Sequence, residues 1–119
     1  MATSPIDKAA FASFTAVVGN DPEMLSEFIG VFARSAPEQV AAMKTALAAE
    51  DFAALRIAAH SCKSNARDLG ALSLAGFCAT LEHQSRDKAL VSPEEQIAVI
   101  EAEAIRAVEA LNALDLTDV

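Results

Sequence analysis

Four residues in the stretch from Asp51 to Leu69, namely Arg56, His60, Lys63 and Arg67, follow one another at steps of four, three and four. At about 100° per residue in an α-helix they make one stripe, a histidine with a cation a turn before it and two after it. A neutral imidazole is both a nucleophile and a proton acceptor near physiological pH. The chain carries a net charge of −8, yet from Phe52 to Leu81 it sets Arg56, Lys63 and Arg67 against Asp68 alone. Positive charge gathered on an acidic protein suits the receipt of an anionic group. Ala59, Ser61 and Ser64 around the histidine are small, so a partner can approach the ring closely. A solvated helix face with an idle histidine has the same composition, and spacing alone does not separate the two readings.

The stripe needs a helix to display it, and the same stretch supplies one. Phe52, Leu55, Ala59, Cys62, Ala66 and Leu69 fall at alternating steps of three and four, an apolar face for burial. Asp51 suits the N-cap and Gly70 the stop. Met1 to Thr3 read as loose chain. Ser4 as N-cap, Pro5 at the first helical position and Asp7 in the first turn predict a short helix to about Val18, with Phe11, Phe14 and Val18 on one side. Gly19 and Asn20 end it. Asp21, Pro22 and Glu23 open the next helix. There Leu25, Phe28, Ile29, Phe32, Ala36, Val40, Met43 and Leu47 keep helical spacing through Pro37, which predicts one long helix kinked at the proline. Ala71 to Arg86 form a fourth helix with Leu74, Phe77, Cys78 and Leu81 inward. Ser92, Pro93 and Glu95 predict a capping box for a last helix carrying Ile97, Ile100, Ala104, Val108, Leu111 and Leu114 and fraying near Asp115. The expected fold is all-α, an antiparallel up-down four-helix bundle with an additional short N-terminal helix packed across one end.

Composition bounds the possibilities. The 119 residues suit one domain, and 53% hydrophobic content with 5% aromatic suits a helical core. No run nears the roughly 18 apolar residues of a membrane span and the start lacks a basic-then-apolar leader, so the expected location is cytoplasmic. The two cysteines sit at apolar helical positions and read as reduced, buried thiols. The negative charge argues against nucleic acid and anionic membrane as partners. No GxxxxGK[ST] or other glycine-rich nucleotide loop is present, and no acidic Mg²⁺ cluster accompanies the histidine. His60, Cys62, Cys78 and His83 have the residue types of a zinc site, but Cys62 lies about 200° around the helix from His60, so the two cannot share an ion. His83, beside Glu82, reads as a solvated surface residue. Ile57, one turn before His60, is either an exposed contact for a partner or covered by the first helix.

AHSCKSNARDLGA followed by LAGFCATLE resembles the histidine-containing phosphotransfer (HPt) domains of two-component phosphorelays. The residues that carry the resemblance are Ala59 and His60, then Lys63, then Leu69, Gly70 and Ala71, then Cys78, Leu81 and Glu82. Two positions depart from the family pattern, Ser64 where glycine is usual and Cys62 where leucine is usual. The resemblance implies a helical bundle and a phosphoryl carrier, with His60 as the phosphoacceptor and Lys63 offsetting the phosphoryl charge. It implies no cofactor of its own. Receiver domains of response regulators or hybrid histidine kinases are the implied partners, supplying an aspartate and Mg²⁺. Arg56, Ser64 and Arg67 are the supporting residues added from the spacing, and Ile57, Ser61 and Ser64 the docking residues. Each exposed cation is worth about 1 kcal/mol or less to the phosphoryl group, because water screens it. Ser64, one turn below His60, has a hydroxyl within reach of Nδ1 that would leave Nε2 free. The expected state is a monomer. Two other readings stay open: a module that docks on a receiver or kinase without accepting phosphate, and a kinase-type dimerisation bundle, which would need an ATP-binding domain not found in the sequence.

Overall fold

The computed structural model describes residues 4–116 and consists of five helices. They are α1 (Lys8–Val18), α2 (Pro22–Ala48), α3 (Phe52–Asp68), α4 (Leu72–Asp87) and α5 (Pro93–Asn112). The expectation for residues 1–3 lies outside the described residues. Helices α2 to α5 form the antiparallel bundle, and α1 packs on α3.

Helix starts follow local chemistry in most places. Asp21 and Asp51 cap α2 and α3 as expected, their carboxylates accepting from the backbone of Glu23 and Ala54 at 3.0 Å each. The cap of α1 is Asp7 rather than Ser4, with Oδ1 accepting from Ala10 N at 2.8 Å. Ser4 accepts from Ile6 N instead, and Asp7 N donates to the carbonyl of Gly70 at 2.7 Å. That tertiary bond fixes where the helix begins. Gly70 is required twice over. Its φ of +82° is left-handed, and a Cβ would stand 2.8 Å from Asp7 O.

The capping box expected at Ser92 does not form. Ser92 has φ +45° and ψ 54°, a left-handed backbone, and its side chain caps nothing. A serine caps from the extended region, where its hydroxyl can reach the amides of the first turn. The turn is held from α4 and α5 instead. Gln84 Oε1 accepts from Val91 N at 3.0 Å and from Gln96 Nε2 at 2.7 Å, and Gln96 Nε2 also donates to Val91 O.

α2 runs unbroken through Pro37, whose ring stands on the exposed side. Its core residues Leu25, Ile29, Phe32, Ala36, Val40 and Met43 are buried. Phe28 and Phe77, expected inward, are 39% and 43% exposed. Both sit off the centre of their buried stripes. Phe28 meets Phe14 of α1 edge-on, with centroids 5.2 Å apart.

The most extensive helix packing is between α3 and α4. Ala58, Ala59, Cys62 and Ala66 of α3, Ala71 at the N-cap of α4, and Ala75 and Cys78 within α4 are all buried. Small side chains let the two backbones approach, so a glutamate on α4 can reach the exposed edge of α3.

Candidate functional site

His60 lies at the middle of α3, where Leu55, Ala59, Cys62 and Ala66 anchor the helix to the core and turn the imidazole outward. Its side chain is 56% exposed. Nδ1 is 2.8 Å from Oε2 of Glu82 on α4. An ionised carboxylate only accepts, so Nδ1 carries a proton, and in the neutral ring Nε2 keeps its lone pair. The second oxygen of Glu82, Oε1, lies 2.6 Å from Nζ of Lys63. Burial by itself raises the Glu82 carboxyl, but hydrogen bonds from Lys63 and His60 and their charge outweigh it and hold it below its ordinary value.

Glu82 is the site residue to which the sequence reading gave no role. It stood in the motif, and a signal was present: an acid one turn from Cys78, at the margin of α4's buried stripe. Ser64 does not take the place expected of it. Glu82 occupies Nδ1, and Ser64 is partly buried and makes no hydrogen bond through its hydroxyl among the described residues. The reason is angular: Nδ1 turns toward α4, while Ser64 lies around α3 on the side away from it.

Of the residues expected to dock a partner, Ile57 is 57% exposed and so is not covered by α1, and Ser61 is partly buried. Arg56 is partly buried and Arg67 exposed. Neither makes an ion pair among the described residues. Lys63 differs from both. It is 15% exposed and committed to Glu82.

The other histidine has the opposite tautomer. Nη2 of Arg86 lies 3.0 Å from Nδ1 of His83. A guanidinium only donates, so Nδ1 of His83 accepts and the neutral ring carries its proton on Nε2. In the neutral rings Nε2 carries a lone pair in His60 and a proton in His83. Cys62 and Cys78 are free and buried beneath the site. Contact with the Cys62 thiol and burial both push the Cys78 thiol up, which keeps it protonated and unreactive. Among the described residues no group of three or more His, Cys, Asp or Glu could hold a metal ion.

The principal surface grooves are lined by other residues, the largest by Lys44, Phe52, Leu90, Ile97 and Glu101 among others. His60 stands outside them. No described helix is long and apolar enough to cross a membrane.

Comparison with known proteins accords with this geometry. A solved structure, histidine-containing phosphotransfer protein B (HptB) from Pseudomonas aeruginosa PAO1, superposes with a TM-score of 0.78 at 29% identity, covering 92% of this chain and 93% of that one. No curated protein matches the sequence. The family profile described as Hpt domain matches residues 27–114, a span that includes His60, Lys63 and Glu82. The chain belongs to the Hpt domain family.

Proposed function

We propose that this chain is a phosphorelay intermediate that accepts a phosphoryl group on Nε2 of His60 from a phospho-aspartyl receiver domain and passes it to another receiver. The single observation that carries the reading is the state of the imidazole: exposed, with Nδ1 tied to Glu82 and Nε2 left as a free lone pair. In the transfer the aspartyl P–O bond breaks as the Nε2–P bond forms, and the aspartate carboxylate leaves with the electron pair. With both nitrogens substituted the ring is positively charged, and Glu82 faces that charge through Nδ1–H. Arg56 and Arg67 lie on the same stripe and lend the site positive charge, with Lys63 behind Glu82. The receiver contributes the aspartate and the Mg²⁺ that polarises the phosphoryl group, so the chain acts as a carrier and not as an enzyme in its own right. Ile57, Ser61 and Ser64 are the docking contacts in this reading, and a cytoplasmic monomer is the form in which it works.

The test is to mix the protein with a phosphorylated receiver and follow an acid-labile, base-stable phosphate. Label is expected on the wild type and absent from His60→Ala. That variant should keep its stability within about 0.5 kcal/mol, apart from the Glu82 carboxylate it leaves with one partner fewer. Receiver binding without label on the wild type would mean a docking module, and label at His83 would mean the wrong histidine.

A further inference from the structure

Two apolar grooves follow one another along the seam between α2 and α5. One, of about 580 Å³, is lined by Leu47, Phe52, Leu90 and Ile97, where α2 stops and α5 starts. The other, of about 320 Å³, is lined by Ala36, Pro37, Val40, Ile105 and Val108 farther along the same two helices. Glu101 lines both and joins them. The seam stays open because Ala33, Ala36, Ala98 and Ala104 along it are too small to fill it. Pro37 has no N–H, so the carbonyl of Ala33 in the same wall lacks its ordinary helical donor. Ile105 stands 55% exposed on the α5 side.

The charge along this seam is one-sided. Glu50, Glu94, Glu101 and Glu109 line it against Lys44 as the one cation. Nζ of Lys44 donates to both oxygens of Glu101, at 3.1 and 3.0 Å. Glu50, Glu94 and Glu109 make no ion pair among the described residues. Glu94, Glu101 and Glu109 follow at steps of seven and eight. They therefore stand about two turns apart along one side of α5, over about 22 Å. α5 packs on α2 and α4, so the seam lies across the bundle from the α3–α4 edge that carries His60.

We propose that the α2–α5 seam is a second docking surface, for a basic amphipathic helix of a partner protein. The apolar face of that helix lies in the groove, and Lys or Arg at two-turn spacing faces Glu94, Glu101 and Glu109. A groove between two helices takes a third helix by its apolar stripe, whereas an extended strand needs backbone partners that helices do not offer. The acids choose the sign of the flank. A second copy of this chain would bring acid to acid, since each carries −8. The inference is independent of the phosphoryl reading, because no residue of the seam belongs to the His60 site.

The experiment titrates the full ¹⁵N-labelled chain with a synthetic helix of about 18 residues, leucines on one face and lysines flanking them, alanine elsewhere. Amide signals of Ala33, Val40, Ala98 and Ile105 should move, and those of His60 and Glu82 should stay. Glu94, Ile105, Glu109 and Lys44 are exposed, so their substitution leaves the fold in place. Glu94→Lys with Glu109→Lys should weaken binding by about tenfold or more. Ile105→Ala should weaken it by about threefold or more. Lys44→Met should tighten it by about threefold, because it frees Glu101 for the peptide. His60→Ala should bind as the wild type does. A scrambled peptide of the same composition, with no apolar face, should bind about tenfold more weakly. Absence of saturable binding overturns the proposal, and so do equal binding of the scrambled peptide, shifts gathered at the α3–α4 edge, or groove variants that bind like the wild type. A concentration-dependent dimer that Ile105→Ala dissociates also overturns it, since a second copy would then cover the groove.

Discussion

At the scale of single residues, the site depends on which groups can donate and which can only accept. Glu82 accepts from His60 and Arg86 donates to His83, so two exposed histidines on neighbouring helices leave the same nitrogen, Nε2, in opposite protonation states when the rings are neutral. The ion pairs of Glu82 also make its charge a stability term. Because the folded carboxyl sits below the ordinary value of 4.5, its contribution is fully present above that value and is lost as pH falls through the lower folded one. Thermal melts of wild type and Glu82→Gln should differ most near neutrality and converge on acidification below about pH 4.5. A gap that stays constant down to acid would show that the carboxylate's charge adds nothing. Ser64 offers a second test. Leucine there puts branched bulk beside the acceptor ring, and transfer should fall by more than about tenfold. Ser64→Gly should retain transfer at a cost of about 0.5–1 kcal/mol of stability. Unimpaired transfer by Ser64→Leu would place the docking face elsewhere.

Helices and turns set where those residues stand. The α4–α5 connection is the clearest case of a turn whose support comes from a distance: Gln84 and Gln96 hold Val91, and Ser92 sits left-handed with no capping bond. Two substitutions should therefore rank opposite to what a capping box implies. Ser92→Ala should change stability by less than about 0.5 kcal/mol, where loss of a true cap costs about 1. Gln84→Ala should cost about 1–2 kcal/mol, since it removes the shared acceptor of two N–H donors. Urea melts of the two variants decide it, and a larger loss for Ser92→Ala would mean that the serine caps in solution.

For the molecule as a whole, the bundle brings one edge of α3 within reach of one edge of α4. The alanines and cysteines buried between them set that separation. Ala66→Leu should overpack the interface and cost about 1–3 kcal/mol. It should also move Glu82 away from His60, so that transfer slows while the fold remains helical. Circular dichroism, melting and the labelling assay together check this. A destabilised variant with full transfer would show that the site tolerates a wider spacing than the 2.8 Å bond suggests. The acidic remainder of the chain, at net −8, leaves the α3 stripe as a local exception. Transfer between this site and an acidic receiver should slow as salt is raised.

Much of this was legible in the sequence, because local rules acted without interference. The 3.6-residue period marked each helix, Asp21 and Asp51 capped where they stood, and the step of four, three and four placed Arg56, His60, Lys63 and Arg67 on one stripe. The motif around His60 and Lys63 named the family that the chain then matched. What escaped the reading depended on contacts between residues distant in sequence. His60 and Glu82 are 22 residues apart, and nothing local tells which way an imidazole on α3 turns or which acid on α4 meets it. The same holds for Asp7, whose N–H is taken by Gly70, and for Ser92, displaced from its cap by Gln84 and Gln96. Periodicity determines which face of a helix is buried. Only the packing of one helix on another decides the partner of each side chain at the margin of that face, and here that margin holds His60 and Glu82.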